Sequence, residues 1–300
     1  MTEAIDQPAL RRHNLGLVLR TIRDHEPRPR ARIAAATGLN RTTVSSLVAE
    51  LGERGLVRGG VLERGNVGRP GLNVELDGRR VCGIGAEVNV NHVGTMALDL
   101  RGEVVSAHRL SLDTVHLDPG AVFDRLAALV GRTLQDLDDR SAQPVGLTLG
   151  LAGLVDSAAG VLTLGPNLGW RDVPAAQLLA DRLGRPSCPV LVDNEANLAA
   201  IAEAGSTPDG VRDDILVLVG EVGVGGGIVS RGALLRGRHG FAGEIGHMMV
   251  DPQGRHCGCG RTGCWETVIG LRALVTAATA PDDALRDPAL DLEDRLAELN

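Results

Sequence analysis

The chain has 300 residues, a formal net charge of −7 and 43% hydrophobic residues, which suffices for two or three domains. It contains no Tyr, two Phe and two Trp, so its core must be built from Leu, Val, Ile and Ala. No apolar run approaches the ~18–20 residues of a membrane helix, and the N-terminus lacks a signal-peptide pattern. Five cysteines, clustered rather than paired, predict a cytoplasmic protein with no membrane partner.

The charge is unevenly distributed along the chain. Residues 1–80 hold 14 Arg and 9 acidic residues, whereas the rest hold 17 Arg and 29 acidic residues. A basic first segment on an acidic body is typical of a DNA-binding head joined to a body that does not bind DNA. We therefore expect a head at 1–78 and a second domain at 79–300.

The head has the pattern of a helix-turn-helix. Residues 14–25 place apolar side chains at helical spacing, and Gly38 supplies a turn between two further short helices. The second of these begins at Asn40 or Arg41, with Asn40 as its N-cap. An ordinary amphipathic helical hairpin is the alternative. Short polar side chains and one guanidinium face outward, as residues that read a major groove do: Arg41, Thr42, Thr43, Ser45 and Ser46.

A hairpin follows the helices. Strands predicted at 61–64 and 72–76 flank the sequence GNVGRPG, which is typical of a hairpin tip. With the helices, this predicts a winged helix-turn-helix in which Arg64 and Arg69 contact phosphates or the minor groove. The alternative is that these two charges only aid solubility.

From residue 81 the pattern changes to strands alternating with helices, which predicts an α/β fold. Strands are predicted at 81–88, 92–100, 103–112, 145–151, 190–192 and 215–219. Helices are predicted at 120–137, 173–183, 194–204 and 266–280.

The segment 243–266 has the composition of a metal site. Cys257, Cys259 and Cys264 fall within eight residues, and His247 lies ten residues upstream of the first. Three thiolates and one imidazole suit a tetrahedral zinc site of the structural kind, since no ligand position stays open. Three free thiols are the alternative, but the sequence CGCGRTGC has no apolar pattern that would bury them. Glu244 and Glu266 flank this loop, and carboxylates beside an imidazole suit the hydroxyl groups of a sugar.

The GEIGH segment followed by CGCGRTGCWE resembles the signature of the ROK family of repressors and sugar kinases, and the resemblance covers roughly residues 10–280. It implies a MarR-like winged head and a two-lobed actin-like ATPase fold, with lobes at about 79–193 and 194–300. It also implies that the histidine and the three cysteines are zinc ligands. The positions that match the sugar cleft are Gly153, Asn167, Asn194, Glu195, Glu244, His247 and Glu266.

Three positions where the resemblance places kinase chemistry have changed. The Asp-x-Gly-Gly-Thr loop of the kinases matches EVNVN at 87–91, and their Gly-Thr-Gly motif matches Glu221-Val222-Gly223. Their catalytic aspartate matches Glu195, whose extra methylene displaces the carboxylate by about 1.5 Å. A displacement near 1 Å can already lower a rate by ~100-fold. The glycines at 225–227 remain, and a tight turn in a sheet also accounts for them. We therefore predict that the chain is not an enzyme.

The resemblance then implies a transcriptional regulator, a repressor of carbohydrate genes such as those of xylose metabolism. It would bind an operator in double-stranded DNA as a homodimer or homotetramer and sense a sugar or sugar derivative. Two alternatives stay open: an ATP-dependent sugar kinase fused to a DNA-binding head, and a regulator that responds to a protein partner. Family members usually continue for many tens of residues after the zinc loop, so we expect the second lobe to be shortened at its C-terminal end.

Overall fold

The structure is a computed structural model that describes residues 6–25, 27–62, 72–206, 213–220, 222–238, 240–287 and 290. Its chain divides into two compact units. The first unit comprises Met1–Ile84, Met96–Ala107 and Thr133–Val145. The second unit comprises Gly85–Thr95, His108–Arg132 and Gly146–Asn300. Among the described residues, no helix has both the length and the apolar character needed to cross a bilayer.

The head is a three-helix unit with a small antiparallel sheet. The strand predicted at 61–64 begins earlier, at Val57, and residues 63–71, which include the predicted hairpin tip, lie outside the described residues. Its elements are α1 (Gln7–Arg23), β1 (Arg28–Pro29), α2 (Arg30–Thr37), α3 (Arg41–Glu53), β2 (Val57–Leu62) and β3 (Leu72–Leu76), and the sheet order is β1-β3-β2. The side chains of Val18, Ile33, Val44 and Leu47 are buried together between the helices. Because apolar residues from all three helices share one core, the position of α3 is fixed by packing.

Two local signals set the bounds of α3. Gly38 has a φ of 71°, the left-handed conformation that glycine adopts without strain, and it ends α2. The Asn40 side chain then accepts a hydrogen bond of 2.7 Å from the backbone N–H of Thr43, so it is the predicted N-cap. Helix α1 begins seven residues before the predicted 14–25 segment. Its first turn contains Pro8, and the residues before position 14 add little apolar periodicity.

The body is layered α/β structure. Its first strands and helix are β4 (Val81–Val88), β5 (His92–Asp99), β6 (Val104–Ser111), α4 (Pro119–Asp139) and β7 (Gln143–Leu151). Then follow β8 (Leu154–Asp156), β9 (Val161–Gly165), β10 (Trp170–Val173), α5 (Ala175–Arg182), β11 (Val190–Asn194) and α6 (Glu195–Ser206). A five-stranded sheet has the order β11-β7-β4-β5-β6, with β11 parallel to β7, and a small sheet has the order β10-β9-β8.

The rest of the body is a third sheet and the cysteine loop. These elements are β12 (Asp214–Gly220), β13 (Val224–Ser230), β14 (Ala233–Leu234), the 3-10 turn Ile245–His247, α7 (Glu266–Ile269), α8 (Leu271–Ala278) and a second 3-10 turn, Ala284–Arg286. The sheet order is β12-β13-β14.

Two helix predictions need correction. The helix predicted at 173–183 begins only at Ala175, because residues 170–173 pair with β9 as a strand. The helix predicted at 266–280 is two helices, because Gly270 between them is extended, with a ψ of 162°. Strand β13 escaped prediction because its three consecutive glycines hide the alternation of apolar side chains.

Candidate functional site

The histidine and the three cysteines come together as predicted. One donor atom from each of His247, Cys257, Cys259 and Cys264 lies within 4.8 Å of all the others. We call these four residues the metal cluster. The Sγ atoms of Cys259 and Cys264 are 3.7 Å apart, and Cys257 Sγ is 3.5 Å from His247 Nδ1. A tetrahedron with Zn–S bonds of ~2.3 Å and a Zn–N bond of ~2.05 Å has edges of ~3.8 and ~3.5 Å. These two distances match the edges of such a tetrahedron, and the four donors together have the chemistry of a zinc site.

Backbone hydrogen bonds shape the cysteine loop. The Cys257 N–H donates to Arg261 O at 2.8 Å, and the Gly260 N–H donates to Cys257 O at 3.0 Å. The Cys259 N–H lies 3.4 Å from Cys257 Sγ, where it can stabilise a thiolate. Burial, and then the carboxylate of Glu266, raises the pKa of the Cys257 thiol. A cation among the thiols would act in the opposite direction, since it favours the thiolate.

All seven residues predicted to contact a sugar line one pocket beside the metal cluster. They are Gly153, Asn167, Asn194, Glu195, Glu244, His247 and Glu266. The imidazole of His247 belongs to both sites, because Nδ1 faces the thiols and Nε2 lies 3.8 Å from Glu244 Oε2. Glu266 is likewise shared, since its Oε1 accepts from Cys257 Sγ at 2.7 Å. Burial raises the pKa of Glu244. The pocket wall and the metal cluster are thus one continuous structure.

Asn194 positions the pocket through the start of α6. Its Oδ1 accepts from the backbone N–H groups of Ala196 at 2.8 Å and Asn197 at 3.2 Å. Its Nδ2 donates to Gly153 O at 2.9 Å. This one side chain therefore ends β11, caps α6 and holds the loop after β7, which brings Glu195 to the pocket.

An ion pair with a buried carboxylate, which the sequence analysis did not predict, lies behind the pocket. The Arg236 guanidinium donates through Nη2 to Asp193 Oδ2 at 2.6 Å and through Nη1 to Ser157 Oγ at 3.1 Å. The Arg236 carbonyl accepts from the Ala242 N–H at 3.1 Å, so the pair also anchors the segment leading to Glu244. The one available signal was an aspartate at the end of an otherwise apolar strand, where a buried charge needs a partner.

In the segment 87–91, which matches the phosphate loop of the kinases, two backbone N–H groups form local hydrogen bonds. The Asn89 N–H donates to His92 O at 2.9 Å, and the Val90 N–H donates to Asn89 Oδ1 at 2.6 Å. The Glu87 carboxylate lies 2.9 Å from His92 Nε2, and this contact lowers its pKa. Two amides that could face a phosphate are therefore already paired. Glu221, the second changed position, lies outside the described residues.

The glycines at 225–227 have a packing role. They lie in β13, which packs against α6 and the Ile245–His247 turn. A Cβ on Gly227 would overlap the carbonyl oxygen of Ala196, and one on Gly226 would lie 2.5 Å from Ile245 Cδ1. These positions need glycine for close approach of the backbone, whatever the pocket binds.

Five of the seven residues that we predicted to contact DNA lie on α3. Four of them are exposed: Arg41, Thr42, Ser45 and Ser46. The fifth, Thr43, is half-buried, and its N–H donates to the N-cap residue Asn40. Arg64 and Arg69 lie outside the described residues. A residue that the sequence pattern missed joins this face, because Arg11 of α1 reaches α3. Its polar partners are 39 and 35 residues away in sequence, and no local pattern reports such a pairing.

Comparisons with known proteins cover both parts of the chain. The ROK family model matches residues 83–293, and the model of the IclR helix-turn-helix domain matches residues 15–59. A xylose repressor from Caldicellulosiruptor bescii is 29% identical over 267 residues, covering 89% of this chain and 66% of its own length. A glucokinase from Halalkalibacterium halodurans is 36% identical over 200 residues, covering 65% of this chain and 58% of its own length.

A solved structure also matches. The crystal structure of a ROK family transcriptional regulator, a homologue of the Escherichia coli Mlc protein, superposes with a TM-score of 0.71 at 26% identity. The match covers 95% of this chain and 72% of that one. The chain spans about two thirds of the length of the curated repressors that it matches, 64% and 66% for two of them.

Proposed function

The chain belongs to the ROK family, and we propose that it is a transcriptional regulator, a repressor whose affinity for operator DNA responds to a sugar or sugar derivative in the pocket. The observation that carries this proposal is the contrast within the pocket region. The seven sugar-side residues line one cavity, while the segment 87–91 uses its amides internally.

The extent of the matches supports a regulator over a kinase. The repressor from C. bescii aligns with 89% of this chain, whereas the glucokinase aligns with 65%. The head also has its own match to a helix-turn-helix model. A fused sugar kinase is the second candidate, since a solved ROK glucokinase with glucose and AMPPNP matches at a TM-score of 0.58.

The charges of the pocket favour an uncharged polyol. Three carboxylates, those of Glu195, Glu244 and Glu266, line it together with the His247 imidazole. No arginine is among the described residues that line it. Carboxylates accept hydrogen bonds from sugar hydroxyls, but they repel a phosphate group because both are anions. We therefore infer that the effector carries no phosphate.

The proposed mechanism is linkage between two binding equilibria. A sugar that binds one conformation of the body better shifts the protein toward that conformation, and DNA affinity changes by the corresponding factor. A dimer on a two-fold operator needs recognition helices ~34 Å apart, so small movements suffice. His247, Cys257, Cys259 and Cys264 would hold a structural zinc ion, which would keep the pocket wall folded.

Calorimetry of the full, zinc-loaded chain tests this proposal. The titrants are d-xylose, d-glucose, N-acetylglucosamine, their phosphates and MgATP. Heat from an unphosphorylated sugar without heat from MgATP supports the sensor. ADP release in the presence of a sugar would overturn it in favour of the kinase. Absence of all binding, with retained affinity for duplexes selected from a random pool, would favour a regulator that responds to a protein partner.

A further inference from the structure

Arg11 of α1 contacts α3, the proposed recognition helix. Arg11, in the first turns of α1, donates through Nε to Glu50 Oε2 at 2.8 Å. Its Nη2 is 2.5 Å from the same carboxylate oxygen and 3.4 Å from Ser46 Oγ. The side chain of Arg11 is still 52% exposed. A guanidinium is therefore held against α3 while part of it faces solvent.

Of the two partners of Arg11 on α3, Ser46 is on the side that faces away from the protein core, and Glu50 lies at the flank of the helix. Val44, Leu47 and Leu51 are buried, and they define the inner face of the helix. At about 100° per residue, Ser46 lies roughly opposite that face, close to Thr42. Ser46 and Thr42 are both exposed. Arg11 thus extends the outward polar face of α3 with a charge that comes from another helix.

Glu50 holds two guanidiniums. Its Oε1 also accepts from Arg54 Nη2 at 2.6 Å, one turn further along α3. The hydrogen bond from Arg11, ahead of the contributions from Arg54, lowers the pKa of Glu50. A guanidinium has five N–H donors, and within the part of the chain that the structure describes Arg11 directs only Nε and Nη2 at its protein partners. Donors remain for a further anion, and Glu50 fixes their direction.

We propose that Arg11 is a phosphate-binding residue of the DNA interface, which contacts the sugar-phosphate backbone beside the groove that receives α3. The inference rests on the proposed function, since it needs the chain to bind duplex DNA. Phosphate contacts fix the register and orientation of a protein on DNA and carry no sequence information directly. Arg11 would therefore raise affinity for every duplex alike, and Glu50 would keep its side chain in place.

The salt dependence of binding distinguishes this role from a structural one. Fluorescence anisotropy of the full chain is measured from 50 to 400 mM NaCl, with a duplex selected from a random pool and a scrambled duplex. For Arg11→Gln, we expect the slope of log K against log salt to fall by about 1 per bound protomer. Both duplexes should lose affinity by the same factor. Arg11→Lys, which keeps the charge, should restore most of the slope.

Arg54→Gln is the matched control. This variant removes a partner from the same carboxylate, but at ~100° per residue Arg54 lies ~80° around the helix from Ser46, on the side nearer the buried face. Its slope should equal that of the wild type. Equal slopes for Arg11→Gln and the wild type, or equal losses for the two variants, would overturn the inference and leave Arg11 as a brace for α3. Failure of the wild type to bind any duplex would instead overturn the proposed function, and the inference with it.

Discussion

The metal cluster is built from residues close together in the sequence, whereas the pocket beside it is built from residues far apart in the sequence. The four metal donors lie between residues 247 and 264, and backbone hydrogen bonds between residues close in the sequence shape the cysteine loop. The pocket instead gathers residues from 152 to 266, which two sheets and the cap of α6 bring together. A local loop can be read from spacing alone, whereas the pocket depends on long-range packing. Because His247 and Glu266 contact both the metal cluster and the pocket, a substitution that disrupts one site can also disrupt the other.

The largest expected effect comes from removing a metal donor. Cys264→Ser should abolish stoichiometric zinc and also sugar binding, because structural zinc contributes on the order of 10 kcal/mol to the folding of small sites. Zinc content by mass spectrometry and calorimetry with the best sugar would report the two losses. Cys188→Ser, at a buried thiol outside the cluster, should keep one zinc per chain. Sugar binding that survives zinc loss would show that the two sites are independent.

A change at the shared carboxylate should separate the two sites. Glu266→Gln removes a charge from the pocket wall but no proposed zinc ligand, so zinc should stay bound. A hydrogen bond to a charged group contributes about 1.5–3 kcal/mol, so sugar affinity should fall about 10- to 150-fold in calorimetry. Glu103→Gln, at an exposed site, should match the wild type. If Glu266→Gln also lost zinc, the shared carboxylate would be part of the metal site.

The ion pair behind the pocket should have a smaller effect. Arg236→Met leaves Asp193, which is 5% exposed, with fewer donors. Breaking a fully buried pair costs 3–5 kcal/mol, and because Arg236 is partly exposed we expect about 2 kcal/mol from denaturant unfolding. Sugar affinity should fall several-fold with zinc unchanged. Arg238→Met, at an exposed position of the same segment, should change neither quantity. Unaltered stability and unaltered sugar affinity in Arg236→Met would show that the pair contributes to neither the fold nor the pocket.

For Glu195→Asp we expect no change in activity. Glu195→Asp restores the residue type of the kinases at this position, yet it leaves the paired amides of segment 87–91 as they are. We expect no sugar-dependent ADP release in a coupled assay with MgATP. The wild type and a preparation without sugar are the controls. Turnover by Glu195→Asp would mean that a single methylene separates this chain from phosphoryl transfer, and that segment 87–91 opens.

The sequence predicted what local chemistry determines. The spacing of the cysteines predicted the metal cluster, and Gly38 and Asn40 predicted the turn and cap before α3. Family resemblance, rather than any pattern of spacing, identified the residues that line the pocket. The pairs Arg236–Asp193 and Arg11–Glu50 were out of reach, because their members lie 43 and 39 residues apart. The break at Gly270 was also missed, since apolar residues on both sides keep helical spacing across it.

The fit of β13 against α6 bears on how such a protein can change over generations. Natural selection on folding alone removes variants that enlarge Gly227, because a side chain there collides with the backbone of a neighbouring helix. A residue whose only contact is a ligand is not constrained by folding in this way. Glycines that close packing requires can therefore be retained whether or not a ligand binds beside them.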